Sequence, residues 1–280
     1  IIKANICGCP ENEIVEGDMC ISIFRTGPEL RTFSYVLRGD KKSFSIIVYK
    51  GLKDHLAGIS RWYTCNPDCP TDKEIYLGYL NEEEQKKELG KLVDAIRAQT
   101  DNKDDQARIA ISIVQQIPYD WEGFRSGDIR GRYPYEVIFD NKGVCGEKSP
   151  LLAFLLRDLG FGVVLFNYEK EQHMAVGIKC PTNYSFLGIG YCFVEAAAPT
   201  IITDYQSDYV GVGKLWSTPT VIEISDGISF DSVSDEFNDA RTFISIDEQS
   251  KATGGFVDLY TYYKWTALVQ KYGLETNVTQ

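Results

Sequence analysis

One cysteine in this chain stands between glycines, in "GVCGEKSPLLAFLLRDLGFG", residues 143–162. Leu151, Leu152, Phe154, Leu155, Leu156 and Leu159 wrap most of the way around a helix, the pattern of a buried one. Gly160 suits its C-cap. Pro150 is tolerated in a first turn, so the helix is expected to start near Gly146–Ser149, with Cys145 at or just before it. Orphan N–H groups and the positive dipole end favour an anion at that place, and a thiolate is a nucleophile. The same stretch also fits a small buried cysteine without chemistry.

A nucleophilic cysteine needs a base, and the chain has two histidines. His55, in "YKGLKDHLAG", reads as a surface residue on a polar turn. His173, in "EQHMAVGIK", sits on a run that alternates as a strand does, with Ala175 and Gly177 leaving room on its face. Downstream, "GYCFVEAAAP" alternates too and places Glu195 on one face with Tyr191 and Phe193. A carboxylate on an apolar strand is expected to be paired. If the two runs pair antiparallel, Glu195 lies beside His173 and orients it. The order is helix N-terminus, strand, neighbouring strand.

These residues resemble the transglutaminase-like branch of the papain-like cysteine enzymes, prokaryotic type. The match runs through "YPYEVIFDNKGVCGEKSPLLAFLLRDLGFGVVLF", "HMAVGIK" and "YCFVEAA", with "DQARIAISIVQQIPYDWE" upstream, and covers roughly residues 80–200. It implies an α+β fold in which the helix bearing the nucleophile packs on an antiparallel sheet. Cys145, His173 and Glu195 fall on the family's catalytic cysteine, histidine and acid. The usual acid is Asp, and the residue after the cysteine is often acidic where this chain has Gly146. The implied chemistry is acyl transfer on a peptide or glutamine carboxamide through a thioacyl-enzyme. Water as acceptor gives a peptidase or deamidase, and a lysine amine gives a cross-linking transglutaminase. The Cys145 backbone N–H is an expected oxyanion donor. The resemblance suggests a second donor from upstream, for which Trp121 is the candidate.

Composition sets the surroundings. Forty acids against 29 Lys and Arg give a net charge of −11, which disfavours nucleic acid and anionic membrane surfaces as partners. The longest apolar run, "LLAFLL", is far short of the ~20 residues that span a bilayer. Eight cysteines point to an exported chain, extracellular or in the cell envelope, and Ile1 as first residue is expected to mark a processed or trimmed chain, any signal peptide or anchor being out of view. Seven cysteines remain beside Cys145: Cys7, Cys9, Cys20, Cys65, Cys69, Cys180 and Cys192. Cys65–Cys69 would close a small loop, Cys20 would pair with Cys7 or Cys9, and Cys180 with Cys192. One regular ladder does not place both His173 opposite Glu195 and Cys180 opposite Cys192, so a bulge is expected. The alternative use of Cys7, Cys9, Cys65 and Cys69 is a structural zinc, although C-x-C and C-x₃-C are not the C-x₂-C signature. Calcium has no EF-hand spacing to hold it, and otherwise no cofactor is expected. Asn183 and Asn277 begin glycosylation triplets.

Two regions are expected. Residues 1–78 read as short strands ("MCISIFRT", "RTFSYVLRG", "SFSIIVYKG", "ISRWYT") of a β-rich, sandwich-like module. Residues 79–280 form the catalytic region: a capped helix from Asn81, a second over about 103–116, then the cysteine helix and its strands. "SFDSVSDEFNDA" reads as an acidic surface loop, and "GFVDLYTYYKWTALVQKYG" as a closing helix with inward aromatics. Two functions fit: a cysteine enzyme acting on protein or peptide substrates, or a non-catalytic surface protein that reuses the fold and self-associates.

Overall fold

The computed structural model describes residues 9, 12–16, 19–61, 65, 67–127, 131–209 and 212–274. The fold is α+β with antiparallel sheets. Two hairpins open it: β1 (Glu13–Glu16) with β2 (Met19–Ser22), and β3 (Pro28–Leu37) with β4 (Asp40–Tyr49). Seven helices follow: α1 (Lys50–Gly58), α2 (Asp72–Leu80), α3 (Glu83–Arg97), α4 (Lys103–Gln116), α5 (Trp121–Ser126), α6 (Pro134–Asp140) and α7 (Cys145–Leu159). Then come β5 (Val163–Tyr168), β6 (His173–Lys179), β7 (Tyr191–Val194) and β8 (Thr220–Ser225), in the spatial order β7-β6-β5-β8. Helices α8 (Ser234–Ala252) and α9 (Leu259–Tyr272) close the described chain.

Helix α7 is the centre. Leu151, Leu152, Phe154, Leu155 and Leu156 are all fully buried, as the sequence predicts. One face of the four-stranded sheet lies under α7, where Val163, Leu165, Met174, Val176 and Ile178 join the same core as the helix. The other face carries Val164, Phe166, Ala175, Phe193 and Tyr209. Covering both faces explains why β5 is apolar nearly throughout. Gly177 is required by that second layer: a Cβ there would stand 2.5 Å from Val164 and 2.8 Å from the Phe166 ring.

Among the described residues, the expected sandwich over residues 1–78 is not formed. β3 and β4 make a single hairpin that lies on α4, and Phe33, Tyr35 and Val48 enter the core of α7. The stretch read as a turn around His55 is α1, whose Leu52 and Leu56 are both buried. His55 is largely exposed, as expected, with Glu82 at 3.8 Å. The fourth expected strand is absent over residues 59–61, and residues 62–64 lie outside the described residues.

Two readings late in the chain are also corrected. The acidic "loop" from Ser234 is the long helix α8, whose first-turn Asp235 and Glu236 suit a helix N-terminus and whose Ala240 and Ile246 are buried. On α9 the buried residue is Leu268, while Tyr260, Tyr262 and Tyr263 face outward at 68%, 50% and 63% exposure. Among the described residues, no helix is long and apolar enough to cross a membrane.

Cysteines pair as Cys9–Cys20, Cys65–Cys69 and Cys180–Cys192. Three of the four sulfurs assigned to the alternative zinc are thus in disulfides, and Cys7 lies outside the described residues, as does Asn277. Asn183 is exposed. Cys145 is the free cysteine among the described residues.

The expected bulge does not occur. β6 and β7 pair regularly, with Val176 facing Val194 and Ile178 facing Cys192. Cys180 therefore meets Cys192 on a diagonal offset by two residues, and His173 meets Glu195 on the opposite diagonal. Diagonal neighbours in an antiparallel pair are within reach of side chains. The disulfide and the His–Glu contact thus hold one register from its two ends. Replacing Cys180 and Cys192 together by serine is expected to cost about 2–4 kcal/mol in denaturant unfolding.

Candidate active site

Cys145 is the first residue of α7, one position before the earliest expected start at Gly146. Pro150 therefore sits in the second turn, and it removes the N–H that the Gly146 carbonyl would otherwise meet. Gly146 is exposed, and nothing lies within 4 Å of where its Cβ would be. The cysteine itself is 8% exposed. Glu147 closes the helix start by accepting from the Val144 N–H at 3.1 Å.

His173 and Glu195 form a buried pair, 2% exposed each, with Nε2 2.8 Å from Oε2. The second carboxylate oxygen of Glu195 accepts from the Ala197 N–H at 2.7 Å. Glu195 thereby fixes the ring tautomer with Nε2–H pointing at the carboxylate. Nδ1 is left without a hydrogen-bond partner, and Cys145 is close enough to act on the ring. Burial pulls the imidazole's pKa down, but the Glu195 carboxylate and Cys145 overcome it and raise it to about 10. The ring stacks on Tyr209 at 5.8 Å, and Tyr209 is anchored by donating to the Asp204 carbonyl. Cys145 Sγ lies 3.9 Å from the Gln172 carbonyl oxygen. It reaches His173 past the end of β6, because His173 points to the sheet face away from α7. Gln172 makes that approach in a left-handed conformation, φ 49°.

A residue not singled out from the sequence completes the group. The Tyr119 hydroxyl lies beside both the thiol and the backbone N–H of Cys145; burial first, then the nearby Cys145 and Glu195 charges, push its pKa well up. Its segment is pinned to the helix start by backbone pairing of Tyr119 with Gly143. Arg132 reinforces this, reaching Asp120 at 2.9 Å and Glu147 at 2.9 Å. Trp121, the expected second oxyanion donor, is placed differently: its ring covers that of Tyr119 at 4.7 Å and is 39% exposed. The signal in the sequence was Tyr119's own position, three residues after the end of α4. Tyr119→Phe is expected to lower turnover about 10²-fold, the usual loss for one oxyanion donor, while Trp121→Phe changes it little; steady-state kinetics on the pair of variants checks this.

Lys148 holds the site's parts on one helix. It is fully buried and donates to the carbonyls of Ile117 at 2.6 Å and Ala197 at 2.7 Å. These carbonyls lie two residues from Tyr119 and two from Glu195. Gln115 adds a bond from Nε2 to the Glu195 carbonyl at 2.9 Å. A nucleophile at a helix N-terminus, an oriented imidazole and nearby donors for a developing oxyanion together suit acyl transfer.

No cluster of three or more metal-ligating side chains is present among the described residues. No protein-family model matches the chain, and no curated protein matches it.

Proposed function

We propose that this chain is a cysteine-dependent acyl-transfer enzyme of the transglutaminase-like kind, exported to the extracellular space or cell envelope. The observation that carries the reading is the buried His173–Glu195 pair, its Nδ1 without a hydrogen-bond partner, beside a helix-terminal Cys145 close enough to raise the ring's pKa. In the first half-reaction the thiol proton already resides on the His173 imidazolium, at Nδ1, and Sγ attacks a carboxamide or peptide carbonyl carbon. The oxyanion forms near the Cys145 N–H and the Tyr119 hydroxyl. The C–N bond then breaks, and the imidazolium returns the proton to the departing amine or ammonia, leaving a thioacyl-enzyme. In the second half-reaction water or a primary amine attacks the thioester, giving an acid or a new amide and restoring the thiol. The open space beside Gly146 admits an acyl donor presented by a protein or peptide.

Intact-mass spectrometry tests this directly. An activated ester of a short peptide is mixed with the protein, with and without an added primary amine. A Cys145-linked acyl adduct that is released as acid, or as amide when the amine is present, is expected. Failure of wild-type protein to acylate faster than Cys145→Ala would leave the non-catalytic reading in its place.

A further inference from the structure

A partly enclosed cavity of about 250 Å³ lies between the end of β3, the middle of α4, the first turn of α8 and the last turn of α9. None of its walls belongs to the Cys145–His173–Glu195–Tyr119 group. Glu236 faces this cavity with a side chain only 6% exposed. Its Oε1 accepts from Arg108 Nε at 2.6 Å, but its Oε2 is buried with no hydrogen-bond partner. A buried carboxylate oxygen left without a donor is costly. The cavity is the space from which a donor would reach it.

The remaining charges decide which donor. The cations here are already committed. Arg38 is bidentate to Asp105 at 2.6 and 2.8 Å, Arg108 also reaches Asp105, and Lys271 bonds Asp239 at 2.6 Å. Asp235 adds an exposed carboxylate on the wall. The uncommitted charge is therefore negative, which repels an anionic ligand. The rest of the lining mixes apolar side chains, of which Ile111 and Ile202 are buried, with uncharged polar ones such as Ser112, Thr200 and Ser234. The volume lies below the range of about 300–1,000 Å³ typical for drug-sized ligands, so it suits a smaller one.

We propose that this cavity binds a small organic ammonium compound, which donates to Glu236 Oε2 and lays its hydrocarbon part on Ile111 and Ile202. The test uses the full chain carrying Cys145→Ala, so that acyl-transfer chemistry plays no part. Benzylammonium and benzoate are titrated separately and followed by ligand-observed NMR. Saturable binding of benzylammonium and none of benzoate is expected. Glu236→Gln, which removes the charge, and Ser234→Trp, which plugs the cavity from its rim, should each weaken binding by about tenfold or more, equivalent to ~1.4 kcal/mol. Unfolding curves establish that both variants are folded. Three results would overturn the proposal: no saturable benzylammonium binding, which leaves the cavity to water; equal binding of benzoate; or binding unchanged in both variants.

Discussion

Replacing His173 by alanine is expected to lower acyl transfer by about 10²–10⁴-fold, the range for loss of a positioned acid–base group. The reason is geometric. Nε2 is occupied by Glu195, so Nδ1 is the one ring nitrogen able to exchange a proton with Cys145. Without the ring, the thiol has no base, and the leaving amine has no proton donor. His55 offers no substitute, since it stands on α1 beside Glu82. The loss should appear in kcat rather than KM, because the imidazole acts on the reacting atoms and not on substrate binding.

Glu195→Gln is expected to act on both activity and stability, and the two carry different pH dependences. With the carboxylate gone, burial is the main influence left on His173, and it draws the imidazole's pKa down from its present value of about 10. The variant then lacks the imidazolium at neutral pH, and turnover should fall by about 10²–10⁴-fold. For stability, the folded-state pKa of His173 lies above the unfolded value near 6.5. A raised pKa means the folded form binds the proton more tightly. Its stabilisation is fully present below about pH 6.5 and is lost as pH rises through about 10. Wild type should therefore exceed Glu195→Gln most at pH 6, by about 3–5 kcal/mol if breaking a buried pair costs its usual amount, and the gap should narrow toward pH 10. Urea unfolding at the two pH values measures the difference. A gap independent of pH would mean that His173 is not charged in the folded state.

Much of this site could be read from residue order. Six large apolar residues within Leu151–Leu159 marked α7 as buried, and the position of Pro150 put the start of the helix close to Cys145. Two alternating runs of β6 and β7 brought His173 and Glu195 to the same face. The error of a bulge came from requiring partners to stand directly opposite. Side chains also meet across diagonals, and here two diagonals of opposite sense share one regular ladder. Tyr119 was less legible, because its place depends on long-range anchoring. Gly143, Arg132 and Lys148 pin its segment, and none of those contacts has a local pattern. α1 was missed because nine residues containing glycine at both ends carry a weak helical signal, and Leu52 and Leu56 find their partners in the core rather than in the helix. On α9 the inward face is set by Leu268 together with the partly covered Trp265 and Val269, not by the number of aromatics.

Cys145 and His173 are expected to act as one unit. This is tested most directly by mass-resolved iodoacetamide alkylation of the unreduced native protein across pH 4–9, beside His173→Ala. Cys145 is expected to be the cysteine modified, its alkylation staying fast well below the ordinary thiol range near 8.5, with the variant losing this low-pH reactivity. An unreactive Cys145, or a pH profile identical in the two proteins, would contradict it.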